Sequence, residues 1–194
     1  MSIQERRERE RAHRHQLIIS SARGLAEAEG WEAVTTRRLA ERIEYSQPVL
    51  YSHFAGKDAI VAAVAVEGFA ELATVLGAAR AGAAGPEGAF TAMARAYADF
   101  AFANPALYDA MFTMASDLPF GQPDAPVPLK AAFGELAEVS AGVAGCQNPE
   151  TFTEVVWAAL HGLVLLTRGG RLRPELQEQR FELVVNRMLG GRAG

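Results

Sequence analysis

Gln47, Val49, Tyr51, Ser52 and His53 crowd into one short segment. Between them they offer an amide that can pair with an adenine edge, an apolar surface for a thymine methyl, and hydroxyl and imidazole groups that can donate to phosphates or bases. Thr35, Thr36 and Arg37 precede them and Lys57 follows, adding hydroxyls and cations of the kind that hold phosphate. The chemistry of such a set is reversible recognition. Arg37 and Arg38 stand near the start of a helical pattern, where a cation gains nothing from the helix macrodipole. An anion outside the helix explains them better, with ordinary solvated arginine as the alternative.

The elements that must position these side chains are legible in the same stretch. Thr35 is a suitable N-cap, and Leu39, Ala40 and Ile43 supply the inner face of the helix that follows. Glu44-Tyr45-Ser46 reads as a turn, with Ser46 capping a second short helix and Pro48 in its first turn, where a missing N–H does no harm. Leu50 and Phe54 are four apart and point inward, which leaves Gln47, Pro48, Val49, Tyr51, Ser52 and His53 outward or at the edges. Two short helices about a tight turn, the second polar and aromatic on its outer side, form the pattern of a helix-turn-helix presented to DNA. A packed surface helix is the other reading of Tyr51-Ser52-His53.

At these residues the chain resembles a known family. G-W-E-A-V-T-T-R-R-L-A from Gly30, followed by S-Q-P-V-L-Y-S-H-F-A-G-K-D-A-I from Ser46, is similar to the DNA-binding domain of TetR-type transcriptional regulators over residues 15–65, with Leu50 to Asp58 the most specific part. The resemblance implies phosphate contacts at Thr35, Thr36, Arg37 and Lys57 and a recognition helix made by Ser46, Gln47, Pro48, Val49, Tyr51, Ser52 and His53. The family usually places glycine in the turn where this chain has Glu44. If that position is left-handed, the substitution costs roughly 1 kcal/mol; a reshaped turn is the alternative.

Upstream, Arg6, Arg7, Arg9, Arg11 and Arg14 alternate with Glu5, Glu8 and Glu10. Such an arm reads either as a solvated helix held by i,i+4 pairs or as a direct DNA contact. Ile18, Ile19, Ala22, Leu25 and Ala26 then repeat at helical spacing until Gly30, and Trp31 and Val34 can close over that face. Downstream of Lys57 a long helix is expected to about Arg80, a glycine-rich connection at 81–88, a helix from Phe90 to Ala103, and a short helix from Ala106 to Ser116. A proline-rich loop at 117–128 precedes three further helices near 129–144, 150–168 and 174–189. The fold class is therefore all-α with about nine helices, an N-terminal domain over residues 1–60 and a helical bundle over 61–194; the resemblance implies that the first is a helix-turn-helix DNA-binding domain and the second an effector-binding and dimerisation domain.

F-A-F-A-N-P-A-L-Y at Phe100 to Tyr108 and W-A-A-L-H-G-L at Trp157 to Leu163 are similar to the C-terminal domain of a TetR subgroup named for a Trp-His-Gly motif. Met93, Tyr97, Phe100, Tyr108, Met111, Phe112, Trp157 and His161 could line an apolar effector pocket, or simply pack a core. Family members generally dimerise through their last two helices, which implies Leu160, Val164, Phe181, Val184, Val185 and Met188 as the interface.

Composition bounds the rest. The net charge of −4 divides into ten Lys/Arg against nine Asp/Glu up to residue 60 and nine against fourteen beyond it, so the acid lies away from the proposed head. One cysteine, Cys146, excludes an internal disulfide and reads as a lone buried thiol. The scattered histidines form no catalytic or metal set, so neither enzyme activity nor a cofactor is expected. The N-terminus has no apolar signal region, and VVWAALHGLVLLT at 155–167 is too short to span a bilayer, so a cytoplasmic protein without membrane partner is expected. The reading is a homodimeric regulator of a palindromic operator, a repressor released by a small apolar effector. A helical ligand-binding or interaction protein without specific DNA binding is its rival.

Overall fold

The computed structural model describes residues 2–114, 118–143 and 148–190. Those residues form nine α-helices and no strand: α1 (Ile3–Glu29), α2 (Thr36–Arg42), α3 (Gln47–Tyr51), α4 (Lys57–Ala81), α5 (Gly85–Ala103), α6 (Pro105–Asp109), α7 (Val127–Ala141), α8 (Pro149–Arg168) and α9 (Gln177–Met188). They divide into two compact units. One runs to Gly68 and takes in Asn104–Ala125; the other comprises Phe69–Ala103 and the residues from Pro126 onward.

In the first unit α1 is the longest element, and its start is well capped. The Ser2 hydroxyl accepts from Glu5 N, while the Glu5 carboxylate accepts from Ser2 N at 2.7 Å, a reciprocal box that satisfies two otherwise orphaned donors. Ile18, Ile19, Ala22, Leu25 and Ala26 are buried on one stripe. Gly30 ends the helix at φ +82, a backbone conformation glycine adopts without strain. Trp31 then folds back into the core, and its indole N–H donates to Ala106 O at 2.8 Å.

That contact is one of several by which α1 holds the start of α6. Pro105 opens α6 without an N–H to satisfy, and Asn104 at the cap position makes no side-chain cap bond. Its side-chain oxygen accepts instead from Arg23 at 3.0 Å. Glu27 supplies the missing cap from another helix: its carboxylate accepts from Ala106 N at 3.1 Å and from Leu107 N at 2.9 Å. An anion at two free N–H groups of a helix start is favoured by hydrogen bonding and by the macrodipole together. After α6 the chain makes a π-helical turn, Ala110–Met114, which lies hard against Gly68. A Cβ at Gly68 would sit 2.6 Å from Met111 Sδ and 2.8 Å from Leu107 Cδ1, so any larger residue would force these two buried side chains to shift.

In the second unit α5, α7 and α8 pack on one another and α9 closes against α5 and α8. The core contains Phe90, Met93, Tyr97 and Phe100 from α5, Leu129, Leu136 and Val139 from α7, Val156, Leu160 and Val164 from α8, and Phe181 and Val185 from α9. Asn148 caps α8 by accepting from Thr151 N at 3.2 Å. Arg80 donates to Glu135 at 2.9 Å, tying the end of α4 to α7.

Several sequence expectations change in detail. The connection after α4 is shorter than 81–88, because Gly85 turns the chain at φ +72 and Pro86 and Glu87 already lie in the first turn of α5. The helix expected from Ala106 to Ser116 is a short α-helix continued by a π turn, with Ser116 outside the described residues. Cys146 also lies outside them. The expectation about apolar length is corrected too: α4, not the 155–167 stretch, is long and apolar enough to cross a membrane by length and composition. A core helix passes the same test, and Ile60, Val61, Val64, Ala65, Phe69, Leu72 and Leu76 of α4 are buried.

The cap from Glu27 generates a stability prediction. Glu27→Ala is expected to lower unfolding free energy by about 1 kcal/mol, the usual cost of a lost N-cap. Glu27→Gln, which keeps an acceptor, should recover part of it. Urea denaturation of the three proteins checks this, and equal midpoints would show that the cap contributes nothing.

Candidate nucleic-acid interface

Thr35 has the extended backbone of an N-cap, and its hydroxyl accepts from Arg38 N at 3.2 Å to start α2. Leu39, Ala40 and Ile43 are buried as the pattern demands. At the other end of α2, Glu44 stands at φ +58, in the left-handed region. Tyr45 N donates to Ala40 O at 2.9 Å and Glu44 N to Glu41 O at 3.4 Å. This is the hydrogen-bond pattern by which glycine ordinarily closes a helix, adopted here by a glutamate. The turn is thus kept in the glycine geometry at the cost of left-handed strain, and it is not reshaped.

Ser46 occupies the cap position of α3 with extended backbone, but its side chain makes no capping bond, contrary to expectation. Pro48 in the first turn starts the helix without it. Leu50 and Phe54 are 1% and 6% exposed, and they seat α3 on the rest of the unit. Gln47, Pro48, Tyr51 and Ser52 face solvent, while Val49 is half-buried. The Tyr51 ring is 53% exposed, unusual for so large a side chain, and its hydroxyl lies 3.5 Å from Thr36 Oγ1. The first turn of α2 and the last of α3 therefore share one exposed edge rich in hydroxyl groups. Ser52 Oγ donates to Val49 O at 2.6 Å, which leaves its lone pairs outward.

Two residues of the expected set are differently engaged. His53 is half-buried and turned toward α1, its ring 6.1 Å from that of His15, which stacks on Phe54 at 4.4 Å. Burial holds the His53 imidazole below its ordinary pKa, and the nearby His15, Arg11 and Arg14 push it the same way. Lys57 Nζ donates to Trp31 O at 2.5 Å, so it fastens the start of α4 to the turn after α1 and keeps two further protons for another acceptor. Arg38 is bidentate to Glu29 at 2.9 Å on both nitrogens, which raises the guanidinium pKa and lowers that of the carboxyl. Arg37 pairs with Glu41 at 2.9 Å, but both are well exposed and such pairs are cheap to exchange.

The residues expected to line a pocket fall into both units. Tyr108, Met111 and Phe112 belong to the first, with the Tyr108 and Phe112 rings 4.6 Å apart and Tyr108 and Met111 fully buried. Met93, Tyr97 and Phe100 lie in the core of the second. There Trp157 donates its indole N–H to Tyr97 Oη at 3.1 Å, and His161 lies 6.3 Å from the Trp157 ring with its pKa lowered by burial.

The residues expected at a dimer interface are placed mostly inward. Leu160, Val164, Phe181 and Val185 are buried within the chain itself, while Val184 and Met188 are half-buried. The first four therefore pack the chain's own core, where they close α9 against α5 and α8. Other side chains on these two helices are exposed: Val155, Leu165 and Leu166 of α8 at 50%, 38% and 40%, and Leu183 of α9 at 54%. Ala158 and Gly162 lie between them on the outer face of α8, and nothing stands within 4 Å of a Cβ built on Gly162. The signal was present in the sequence, since α8 is apolar on two opposite sides.

Comparison with known proteins agrees with this architecture. Residues 18–64 match the family described as bacterial regulatory proteins, tetR family, and residues 90–188 match the tetracyclin repressor-like C-terminal domain. An uncharacterized HTH-type transcriptional regulator of Mycobacterium tuberculosis is 30% identical over 178 residues, covering 90% of this chain and 79% of its own. A Rhodococcus protein of unknown function superposes with a TM-score of 0.74 at 23% identity, over 93% of this chain and 95% of its own. A TetR variant from Acinetobacter baumannii, solved in complex with minocycline, gives 0.65 at 18% identity over 89% and 92%. At those identities the two structures speak for the fold alone.

The turn at Glu44 can be tested directly. Glu44→Gly removes the left-handed strain and is expected to stabilise the protein by up to about 1 kcal/mol. Thermal unfolding reads this as a raised midpoint; a lowered one would mean that the Glu44 side chain contributes more than its backbone costs.

Proposed function

The chain belongs to the tetR family of bacterial regulatory proteins and is a DNA-binding transcriptional regulator; from that premise we propose that it acts as a homodimeric repressor of a palindromic operator. The observation that carries the reading is the exposed edge shared by α2 and α3. Thr36 and Tyr51 stand together there with Gln47, Pro48 and Ser52 outward, on a helix seated by Leu50 and Phe54. In this assignment Gln47, Val49 and Tyr51 read bases, and Thr35, Thr36, Arg37, Ser52 and Lys57 hold phosphates. His53, turned to α1, positions the helix.

Residues 1–60 act as the DNA-binding domain and 61–194 as the control domain. The two copies join through the outer face of α8 with α9, where Val155, Ala158, Gly162, Leu165, Leu166 and Leu183 leave apolar surface open to solvent. Small residues at Ala158 and Gly162 let a second helix approach closely. A dimer of this kind sets two recognition helices about one DNA turn apart, as a palindrome requires. The effector is small and largely apolar, taken up among Met93, Tyr97, Phe100, Trp157 and His161 of the second unit. The minocycline complex of the Acinetobacter relative supports a small-molecule effector. Such a ligand weakens operator binding by the coupling free energy between the two sites, typically about 1 to 3 kcal/mol. The protein works where the chromosome is, in the cytoplasm.

Selection of bound duplexes from a random pool tests the reading. A palindromic consensus is expected, and Tyr51→Ala should bind it at least about tenfold more weakly with unchanged helicity. No enrichment would favour a helical interaction protein instead. Separately, Leu166→Glu, which sets a charge in the outer face of α8, is expected to sediment as a folded monomer and to lose tight binding to the palindrome. A variant that stays dimeric would exclude this face.

A further inference from the structure

The first four turns of α1 reach beyond the packed part of the unit, and every side chain from Ser2 to His13 is exposed. An unsupported extension of this length is marginal as a helix in water. Here it is reinforced at both levels available to it. The Ser2 and Glu5 capping box fixes its start, and Glu10 accepts from Arg6 at 3.0 Å and from Arg14 at 3.4 Å, bracing one side. The result is a helical arm that rises about 18 Å from His15 to Ile3.

Charge is not evenly spread around this arm. At 100° per residue, Gln4, Arg7, Glu8, Arg11 and Arg14 continue the stripe that becomes His15, Ile18, Ala22 and Leu25, the stripe that faces the rest of the unit. The opposite side carries Glu5, Arg6, Arg9 and Glu10, which balance. The inward stripe thus has three arginines against one glutamate. Among the described residues, Arg7 and Arg11 have no acidic partner. The direction in which they point is set by His15, whose ring stacks on Phe54 just past α3. Arg11 lies one turn before His15, and both Arg11 and Arg14 are close enough to disfavour protonation of His53. Two uncommitted guanidinium groups, one helical turn apart, therefore overhang the end of the recognition segment.

We propose that the free end of α1 is a second DNA contact, in which Arg7 and Arg11 meet backbone phosphates flanking the bases read by α3. It rests on the DNA-binding reading of the head. Guanidinium groups on a solvated helix edge suit phosphate rather than base recognition, because Arg forms forked bonds to phosphate oxygens and nothing here fixes the group against a base edge. The arm adds affinity and salt dependence without adding sequence information.

The test compares Arg7→Gln/Arg11→Gln with Arg6→Gln/Arg9→Gln, an equal loss of charge on the opposite side. The probes are a duplex selected from a random pool by the unaltered protein and a shuffled duplex of equal length, with affinity measured across potassium chloride concentrations. Glutamine keeps helix propensity, and far-UV circular dichroism confirms that the arm remains helical. The inward pair should lower the slope of log affinity against log salt by about 4, roughly 1 for each of the four arginines that the two arms of a dimer carry, on both duplexes. It should leave the preference between them intact and erase hydroxyl-radical protection at the flanks. The outward pair should change the slope far less. Unaltered protein that discriminates the duplexes while the inward variant keeps the full slope, or equal slopes for the two variants, overturns the arm contact alone. Unaltered protein that binds no duplex overturns the reading of the head, and the arm contact with it.

Discussion

The last turn of α1 and the tryptophan that follows it hold two other helices by their first residues. Glu27 caps α6 at Ala106 N and Leu107 N, and the Trp31 indole donates to Ala106 O. The Trp31 carbonyl accepts from Lys57 at the first residue of α4. None of these bonds is strong once water is counted, each contributing on the order of 1 kcal/mol. Their weight lies in where they act. Three helix termini meet at one place, and each supplies the partner that another terminus lacks. This explains why Asn104–Ala125 groups with the N-terminal residues although it follows them by a long stretch of chain. It also fixes the direction of α1, on which both the recognition segment, through His15 and Phe54, and the charged arm depend.

Three basic groups beside α2 and α3 are already engaged inside the chain. Arg38 is bidentate to Glu29, Arg37 meets Glu41, and Lys57 is bound to a carbonyl. A surface pair of this sort contributes little to stability, so exchanging a carboxylate for a phosphate costs little as well. The glutamates therefore act less as anchors than as placeholders. They hold the Arg37 and Arg38 guanidinium groups in place beside α2. Electrostatic attraction to DNA in such a protein is local, and bulk charge says nothing about it.

Residues whose role is set by their neighbours in sequence were legible; those set by distant partners were not. The cap at Thr35, the inward Leu50 and Phe54, the stop at Gly30 and the run of α4 follow from spacing and cap chemistry that act within a few residues. Glu44 was legible only as a condition, since a left-handed backbone cannot be read from a glutamate. His53 and Lys57 looked like outward contacts because their partners, His15 and Trp31, are far away along the chain. Glu27 carried no signal at all, because capping another helix leaves no local pattern. The outer stripe of α8 failed for a different reason. Its two apolar sides have similar composition, and which of them meets the chain's own core depends on α5 and α9, whose placement no periodicity reveals.

The same distinction bears on how the reading surface works. The α3 helix is only five residues long, far below what stands alone in water. Its orientation must come from outside itself: from Leu50 and Phe54 beneath, from the Glu44 turn before it, and from the stack of Phe54 on His15 behind it. Of the side chains proposed to meet bases, Gln47 and Tyr51 are exposed and add little to that seat, while Val49 is half-buried. Recognition and positioning are thus carried by separate residues, so a signal that tilts α1 or the start of α4 can re-aim Gln47 and Tyr51 without touching them. Strain at Glu44 fits this division. A backbone held about 1 kcal/mol above its relaxed state leaves the seat firm enough to read DNA, yet within reach of the few kilocalories an effector can deliver.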